Sequence, residues 1–226
     1  MQDLVAQSRA SKTIPALCRF IGKAHVLGMV AAAITITLNG AQAGEVEEHH
    51  HNHEHHHAAV EQKLTRSIAN YTIPDISLVR VNRTMVNLRQ EIDDGRPVVL
   101  NFVYTTCTAV CPMTSQTLAA FQAKLGADAA GVHVVSISID PEHDTPERLA
   151  EYQQRYRAGP QWNFLTGTVE NSIKTQKAFD SFFTDKMNHR PITYLRAAPG
   201  KTWVRLEGFA SPDDLLKEYR AITSES

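Results

Sequence analysis

The alternation of apolar and polar positions predicts a central buried strand followed by a helix. Six of the seven residues from Val98 to Tyr104 are apolar or aromatic, a composition that suits a strand buried on both faces. Residues 114–125 are compatible with a helix, and two cysteines, Cys107 and Cys111, precede them. A second apolar run over residues 132–139 predicts another buried strand.

Shorter patterns predict the elements around this centre. The apolar positions of residues 71–81 and 86–88 predict an N-terminal hairpin, which follows a short amphipathic connector over residues 58–70. Thr145 and Thr168 are residues of the type that caps the start of a helix. The other predicted elements are strands over residues 162–165, 191–196 and 202–206, and a last helix that opens at residues 211–214.

This order of elements predicts the fold class. Strands that alternate with helices imply a largely parallel sheet with crossover helices, to which the closing hairpin adds antiparallel strands. A cysteine pair between a strand and a helix is the usual arrangement of a thioredoxin-like redox pair. We therefore predict an α/β, thioredoxin-like fold with an N-terminal β-hairpin extension over residues 58–226.

The first 43 residues are predicted to be a targeting segment. Basic residues precede an apolar run over residues 26–38, and Ala41-Gln42-Ala43 matches the site at which a secretory signal peptide is cleaved. This pattern predicts export to the periplasm. Retention as a membrane anchor is the alternative, although the run is short for a span of about 20 residues. The protein would contact the membrane only if this leader is retained.

Residues 44–57 form an acidic, histidine-rich tail. Nothing in this composition can build a core, so the segment is predicted to be disordered. Imidazole is a good ligand for copper, nickel and zinc, which favours metal capture. A solvated spacer and an engineering tag remain alternatives. The tail's histidines are His49, His50, His51, His53, His55, His56 and His57.

Charge and cysteine content narrow the range of functions. The formal net charge is -1, which provides no electrostatic basis for binding nucleic acid.

Cleavage would remove Cys18 with the leader and leave Cys107 and Cys111 as the only pair. These two thiols can form a disulfide or jointly bind a soft metal. Residues four apart can share one face of a helix, which would bring the two thiols together. If Cys107 lies at the helix start, the positive end of the helix dipole would lower its pKa. A structural disulfide and two unpaired core cysteines are the alternatives.

Three stretches in one order carry a resemblance to a known family. They are residues 102–112 around the cysteines, residues 138–147 with the sequence SIDPEHDTPE, and residues 189–195 followed by Pro199-Gly200. His189 lies five residues before the pair Tyr194-Leu195. In these features the chain resembles the SCO/SenC family of copper-binding, thioredoxin-like proteins, over roughly residues 64–219.

The chain departs from the usual family pattern at several positions. The family usually has a histidine before the first cysteine and Pro-Asp between the cysteines, where this chain has Thr106, Thr108 and Ala109. Asn188 stands where an aspartate often precedes the distal histidine, and Pro199-Gly200 lacks an intervening acidic residue. These differences reduce the charge around the site, which affects metal affinity and redox tuning.

The resemblance implies a copper site and a role for it. Cys107, Cys111 and His189 would hold the metal as Cu(I) or Cu(II), and the protein would deliver copper to the dinuclear centre of cytochrome c oxidase subunit II or a similar enzyme. The alternative is a thiol-disulfide oxidoreductase that reduces a copper acceptor, with Cys107 and Cys111 as the catalytic redox pair. In an oxidising compartment the dithiol works only if a thiol reductant protein reduces it or a metal occupies it. A peroxide-reducing enzyme is disfavoured, because no P-x-x-x-[ST]-x-x-C pattern accompanies Cys107.

Overall fold

The computed structural model describes residues 63–224. The predicted leader and the histidine-rich tail lie outside these residues, as do residues 58–62 of the predicted domain. Within the described part, no helix is long and apolar enough to cross a membrane.

Residues 63–224 form one eight-stranded sheet. Its strands lie in the spatial order β1-β8-β7-β4-β5-β6-β2-β3. The strands are β1 (Thr65–Ala69), β2 (Ser77–Arg80), β3 (Met85–Asn87), β4 (Val98–Val103), β5 (His133–Ser138), β6 (Trp162–Thr166), β7 (Ile192–Arg196) and β8 (Trp203–Glu207).

The helices cover both faces of this sheet. They are α1 (Leu88–Ile92), α2 (Val110–Leu125), α3 (Pro146–Arg155), α4 (Val169–Ala178) and α5 (Pro212–Ser224), with 3-10 helices at Gly126–Gly131 and Lys186–Asn188. The predicted caps are present: the Thr145 side chain accepts a hydrogen bond from the Arg148 N–H, and Thr168 accepts one from Asn171.

The two faces of β4 carry two separate cores, because successive side chains of a strand point in opposite directions. Val99 packs with residues of α2, α3 and α5, among them Phe121, Leu149 and Leu215. Val98, Leu100 and Phe102 pack on the opposite face with residues of α1 and with Phe179, which follows α4. Every residue of β4 is buried, as its composition predicts.

Two predictions about the sheet are wrong. The segment read as a connector contains β1, an edge strand that pairs antiparallel with β8 from Thr65 opposite Glu207 to Ala69 opposite Trp203. The described sheet is mixed rather than largely parallel, since only the β4–β5 and β5–β6 pairs are parallel. The predicted N-terminal hairpin is correct, with Leu78 opposite Val86.

The direction of β7 is one main reason why the sheet is mixed and not largely parallel. Although helix α4 separates β6 from β7, the chain turns back after α4, and β7 runs antiparallel to β4 with Thr193 opposite Asn101. The start of β7 therefore lies beside the end of β4. Residues just before β7 reach the same edge of the sheet as residues just after β4.

Candidate functional site

The cysteine pair lies in the loop that joins β4 to α2. The Cys107 N–H donates to the Tyr104 carbonyl at 3.1 Å, which closes a turn directly after the strand. Cys111 is in the first turn of α2, and its N–H donates to the Sγ of Cys107 at 3.4 Å. The two thiols are free and in contact, but not on one helical face as predicted. Instead, the loop folds Cys107 back over the start of the helix.

The two thiols occupy different environments. Cys111 is fully buried beside Val103 and Tyr104, and this burial raises its pKa above the ordinary value, although the Tyr104 N–H opposes the rise. Cys107 is partly exposed. Its partial burial would raise its pKa, but the N–H groups of Cys111 and Ala109 and the Tyr104 hydroxyl stabilise the thiolate by hydrogen bonding, so the net pKa is lowered. The exposed thiol is therefore the more acidic one.

This asymmetry predicts selective alkylation of the reduced protein. We expect iodoacetamide to modify Cys107 with a pH midpoint below that of a free cysteine, about 8.5, while Cys111 stays unmodified in the folded state. Tyr104→Phe removes the hydroxyl that donates to Cys107 and should move the midpoint upward; Tyr219→Phe, on α5, is the matched control. Peptide mass spectrometry across pH measures both rates. A Cys107 midpoint at or above 8.5 in the native protein would contradict this assignment.

His189 lies at the same edge of the sheet, between the 3-10 helix and β7. Its imidazole is 6% exposed, and its Nε2 is 3.2 Å from the Phe102 carbonyl. A carbonyl can only accept, so Nε2 carries the proton and Nδ1 carries the free lone pair. That buried Nδ1 has no hydrogen-bond partner. Burial lowers the His189 pKa to about 4, so the ring is neutral near pH 7.

Tyr104 contacts both parts of the predicted site. Its ring packs edge-on against the His189 ring with centroids 6.5 Å apart, and the residue also clusters with Cys111, against which Cys107 packs. Within residues 63–224, no group of three or more His, Cys, Asp or Glu side chains lies close enough to hold a metal ion. The structure thus brings the two cysteines into contact and places His189 at the same edge, one tyrosine away. Binding through all three residues requires the Tyr104 or His189 side chain to shift.

A buried carboxylate outside the predicted site residues fixes the cysteine loop. Asp144 is fully buried and accepts hydrogen bonds from the Thr105 N–H at 3.0 Å, the Thr105 hydroxyl at 2.6 Å and the Ser138 hydroxyl at 2.6 Å. Through these hydrogen bonds Asp144 links Thr105, the residue after Tyr104, to Ser138 at the end of β5. The sequence offers only a weak signal for this role, an acidic residue in the loop between a buried strand and the helix cap Thr145.

Asp140 links two further loops at this edge. It is 7% exposed, and its carboxylate accepts from Lys186 Nζ at 2.5 Å and lies 3.0 Å from His143 Nδ1. Burial opposes ionisation of Asp140, but these two partners outweigh it and lower the Asp140 pKa. Asp140 and His143 therefore lie near the site, and Asp140 holds the turn that precedes His189.

The donor atoms at this edge fit a soft metal ion. They are two sulfurs and one nitrogen, which Cu(I) prefers over oxygen ligands. The sulfurs belong to a partly exposed thiol of lowered pKa and a buried thiol, and the nitrogen is an unpaired imidazole nitrogen. The unpaired Nδ1 of His189 supports this fit, because a buried acceptor without a partner is costly unless a ligand can use it.

Comparison with known proteins gives one consistent result. The sequence model of the SCO1/SenC family matches residues 75–224. The SCO1 protein homolog of Bacillus subtilis is 26% identical over 153 residues, which are 63% of this chain and 79% of that protein.

Solved structures agree with the architecture. Bradyrhizobium japonicum ScoI with copper bound has a TM-score of 0.57 at 22% identity, over 67% of this chain and 99% of its own. BsSco, described as a member of the Sco family of cytochrome c oxidase assembly proteins with a disulfide switch, has a TM-score of 0.59 at 24% identity, over 72% of this chain and 99% of its own. These likenesses confirm the predicted thioredoxin-like α/β fold.

Proposed function

This chain belongs to the SCO1/SenC family, and from that premise we propose that it is an exported copper-binding protein that delivers copper to a respiratory enzyme. The observation that carries the proposal is the convergence of two free thiols in contact and one unpaired imidazole nitrogen at a single edge of the sheet. The acceptor we propose is the dinuclear copper centre of cytochrome c oxidase subunit II or a similar copper site.

The three residues would have distinct roles toward the cargo. Cys107 loses its proton most readily and is partly exposed, so it would receive or release the ion first. Cys111 would bind from the buried side, where copper displaces its proton. His189 would bind through Nδ1, while the Phe102 carbonyl holds its other nitrogen and fixes the tautomer.

Two relatives support the choice of metal and acceptor. The structure of Bradyrhizobium japonicum ScoI contains copper, and BsSco belongs to a family of cytochrome c oxidase assembly proteins. We extend both properties to this chain. We also place it in the periplasm, free or anchored by its leader, where a reductant protein would keep the thiols available for metal.

A second candidate function rests on the asymmetry of the thiols. A partly exposed thiol of lowered pKa beside a buried thiol of raised pKa is the arrangement of a nucleophile and its resolving partner. In this role Cys107 would attack a disulfide of the copper acceptor, and Cys111 would then displace the reduced acceptor. The acceptor disulfide is reduced to two thiols, and the Cys107–Cys111 pair is oxidised to a disulfide.

Replacement of His189 separates the two functions. We expect the reduced protein to bind one Cu(I) tightly in competition with a chelator, and His189→Ala to weaken that binding at least about tenfold, since metal sites lose about that much when even an outer partner is removed. The rate of dithiol exchange with a model disulfide should change little.

His133→Ala is the matched control, because this buried histidine contacts Asn163 on the β5–β6 side of the sheet rather than the cysteine edge. If the wild-type protein retains no copper while its thiols exchange, the delivery function is wrong and the oxidoreductase reading is correct.

A further inference from the structure

Met187 occupies an unusual position beside the candidate site. It lies in the 3-10 helix Lys186–Asn188, two residues before His189, and is 70% exposed although its side chain is apolar. Its Sδ is 3.7 Å from the hydroxyl of Tyr104. The thioether is therefore turned toward the protein at the cysteine edge while much of the side chain remains in solvent.

The tyrosine that Met187 contacts also lies beside the cysteine pair. Tyr104 is 3% exposed and forms a buried cluster with Val103 and Cys111, against which Cys107 packs. Met187 and Cys107, which are 80 positions apart in the chain, thus meet at one buried tyrosine. The Tyr104 ring also contacts the His189 ring, so the thioether belongs to the same cluster as the three predicted ligands.

The turn that carries Met187 is held in place. The Asp185 side chain accepts a hydrogen bond from the Met187 N–H at 2.9 Å, and Lys186 Nζ lies 2.5 Å from the Asp140 carboxylate. Lys186 also lies over the Tyr104 ring, with Nζ 5.7 Å from its centroid. The thioether is therefore presented by a fixed turn rather than by a free loop end.

We propose that Met187 is a further copper donor of this site. Its thioether would leave the Tyr104 hydroxyl and bind Cu(I) on the solvent side together with the cysteines. The inference rests on the proposed function. Thioether sulfur is soft and neutral, so it binds Cu(I) without releasing a proton and less strongly than a thiolate. A weak donor at the exposed side suits an ion that must be passed to an acceptor.

A selenium substitution tests this donor directly. The full chain, with the tail histidines changed to asparagine, is grown with selenomethionine, reduced and loaded with one equivalent of Cu(I). X-ray absorption at the copper edge should then contain a copper–selenium component. Met187→Leu should remove that component and weaken Cu(I) binding by about tenfold or more in a chelator competition.

Two other exposed methionines are matched controls. Met85→Leu, on edge strand β3, and Met113→Leu, in the first two turns of α2, should each retain the copper–selenium component and the affinity. A wild-type spectrum without selenium, or a selenium component that persists in Met187→Leu, overturns the inference.

The result distinguishes this inference from the function on which it rests. If Cu(I) is bound tightly and lost in Cys107→Ser, but no selenium is seen, the Met187 assignment is wrong and the proposed function stands. If wild-type protein with intact, reduced thiols retains no Cu(I), the proposed function is wrong and the Met187 assignment falls with it.

Discussion

Replacement of Cys107 or Cys111 by serine should abolish tight Cu(I) binding by the folded domain. Structural zinc sites draw roughly 10–16 kcal/mol from four ligands, which is about 3 kcal/mol for each ligand. A similar contribution to this site means that the loss of one thiolate should lower the affinity about a hundredfold. A hydroxyl does not replace it, because Cu(I) prefers soft sulfur donors. Chelator competition with reduced protein, its tail histidines replaced, measures the loss.

The two cysteine variants differ in their structural consequences. Cys111→Ser places a hydroxyl in the apolar cluster of Val103 and Tyr104, which can cost about 1–3 kcal/mol of stability if the hydroxyl finds no partner. Residue 107 is partly exposed, so Cys107→Ser should leave the free energy of unfolding nearly unchanged. Thr108→Ser, at an exposed position of the same loop, controls for general disturbance of the loop. Unchanged affinity in both cysteine variants would refute the proposed metal site.

Replacement of Asp144 by alanine should cause the largest loss of stability at this edge. The variant leaves the Thr105 N–H, the Thr105 hydroxyl and the Ser138 hydroxyl without their buried acceptor. Each unsatisfied buried group costs about 1–3 kcal/mol, so the free energy of unfolding should fall by about 3 kcal/mol or more. Urea denaturation of the reduced protein measures it.

Asp213→Ala is the control for this loss. The Asp213 side chain is 77% exposed and pairs with Lys124, so its removal should change the free energy of unfolding by less than about 1 kcal/mol. Because Thr105 adjoins Tyr104, Asp144→Ala should also alter the alkylation rate of Cys107. A loss below 1 kcal/mol together with unchanged alkylation would show that Asp144 does not hold the loop.

The elements that could be predicted are those whose signals lie within a few residues of the chain. The buried strands β4 and β5 have continuous apolar runs, and Thr145 and Thr168 cap helices through contacts within three residues. In contrast, β1 is predominantly exposed and has the pattern TRSIA, which identifies a strand only through its pairing with β8. The direction of β7 likewise depends on which neighbour it joins, and alternation of elements alone does not decide that.

The placement of the candidate site residues could be predicted only where spacing or resemblance specified it. The four-residue spacing correctly indicated that Cys107 and Cys111 would meet, although a folded loop rather than a shared helical face brings them together. His189 came from the family motif, since no periodicity would single it out. Asp144 and Met187 were missed because their contacts, to Thr105 and Tyr104, join residues 39 and 83 positions apart.

The pairing of edge strand β1 sets where the chain enters the domain. Thr65 lies opposite Glu207, which in turn lies opposite Ile192 at the start of β7. The first residue of β1 therefore lies toward the strand ends where the cysteines are found. Lys63 lines a shallow surface cavity there with Arg190 and Pro191. Since eight residue steps separate His57 from Thr65, covalent geometry keeps that histidine within about 30 Å of the strand's first residue. If the tail captures metal as its composition predicts, transfer of the ion to the thiols would be a first-order step whose rate does not depend on protein concentration.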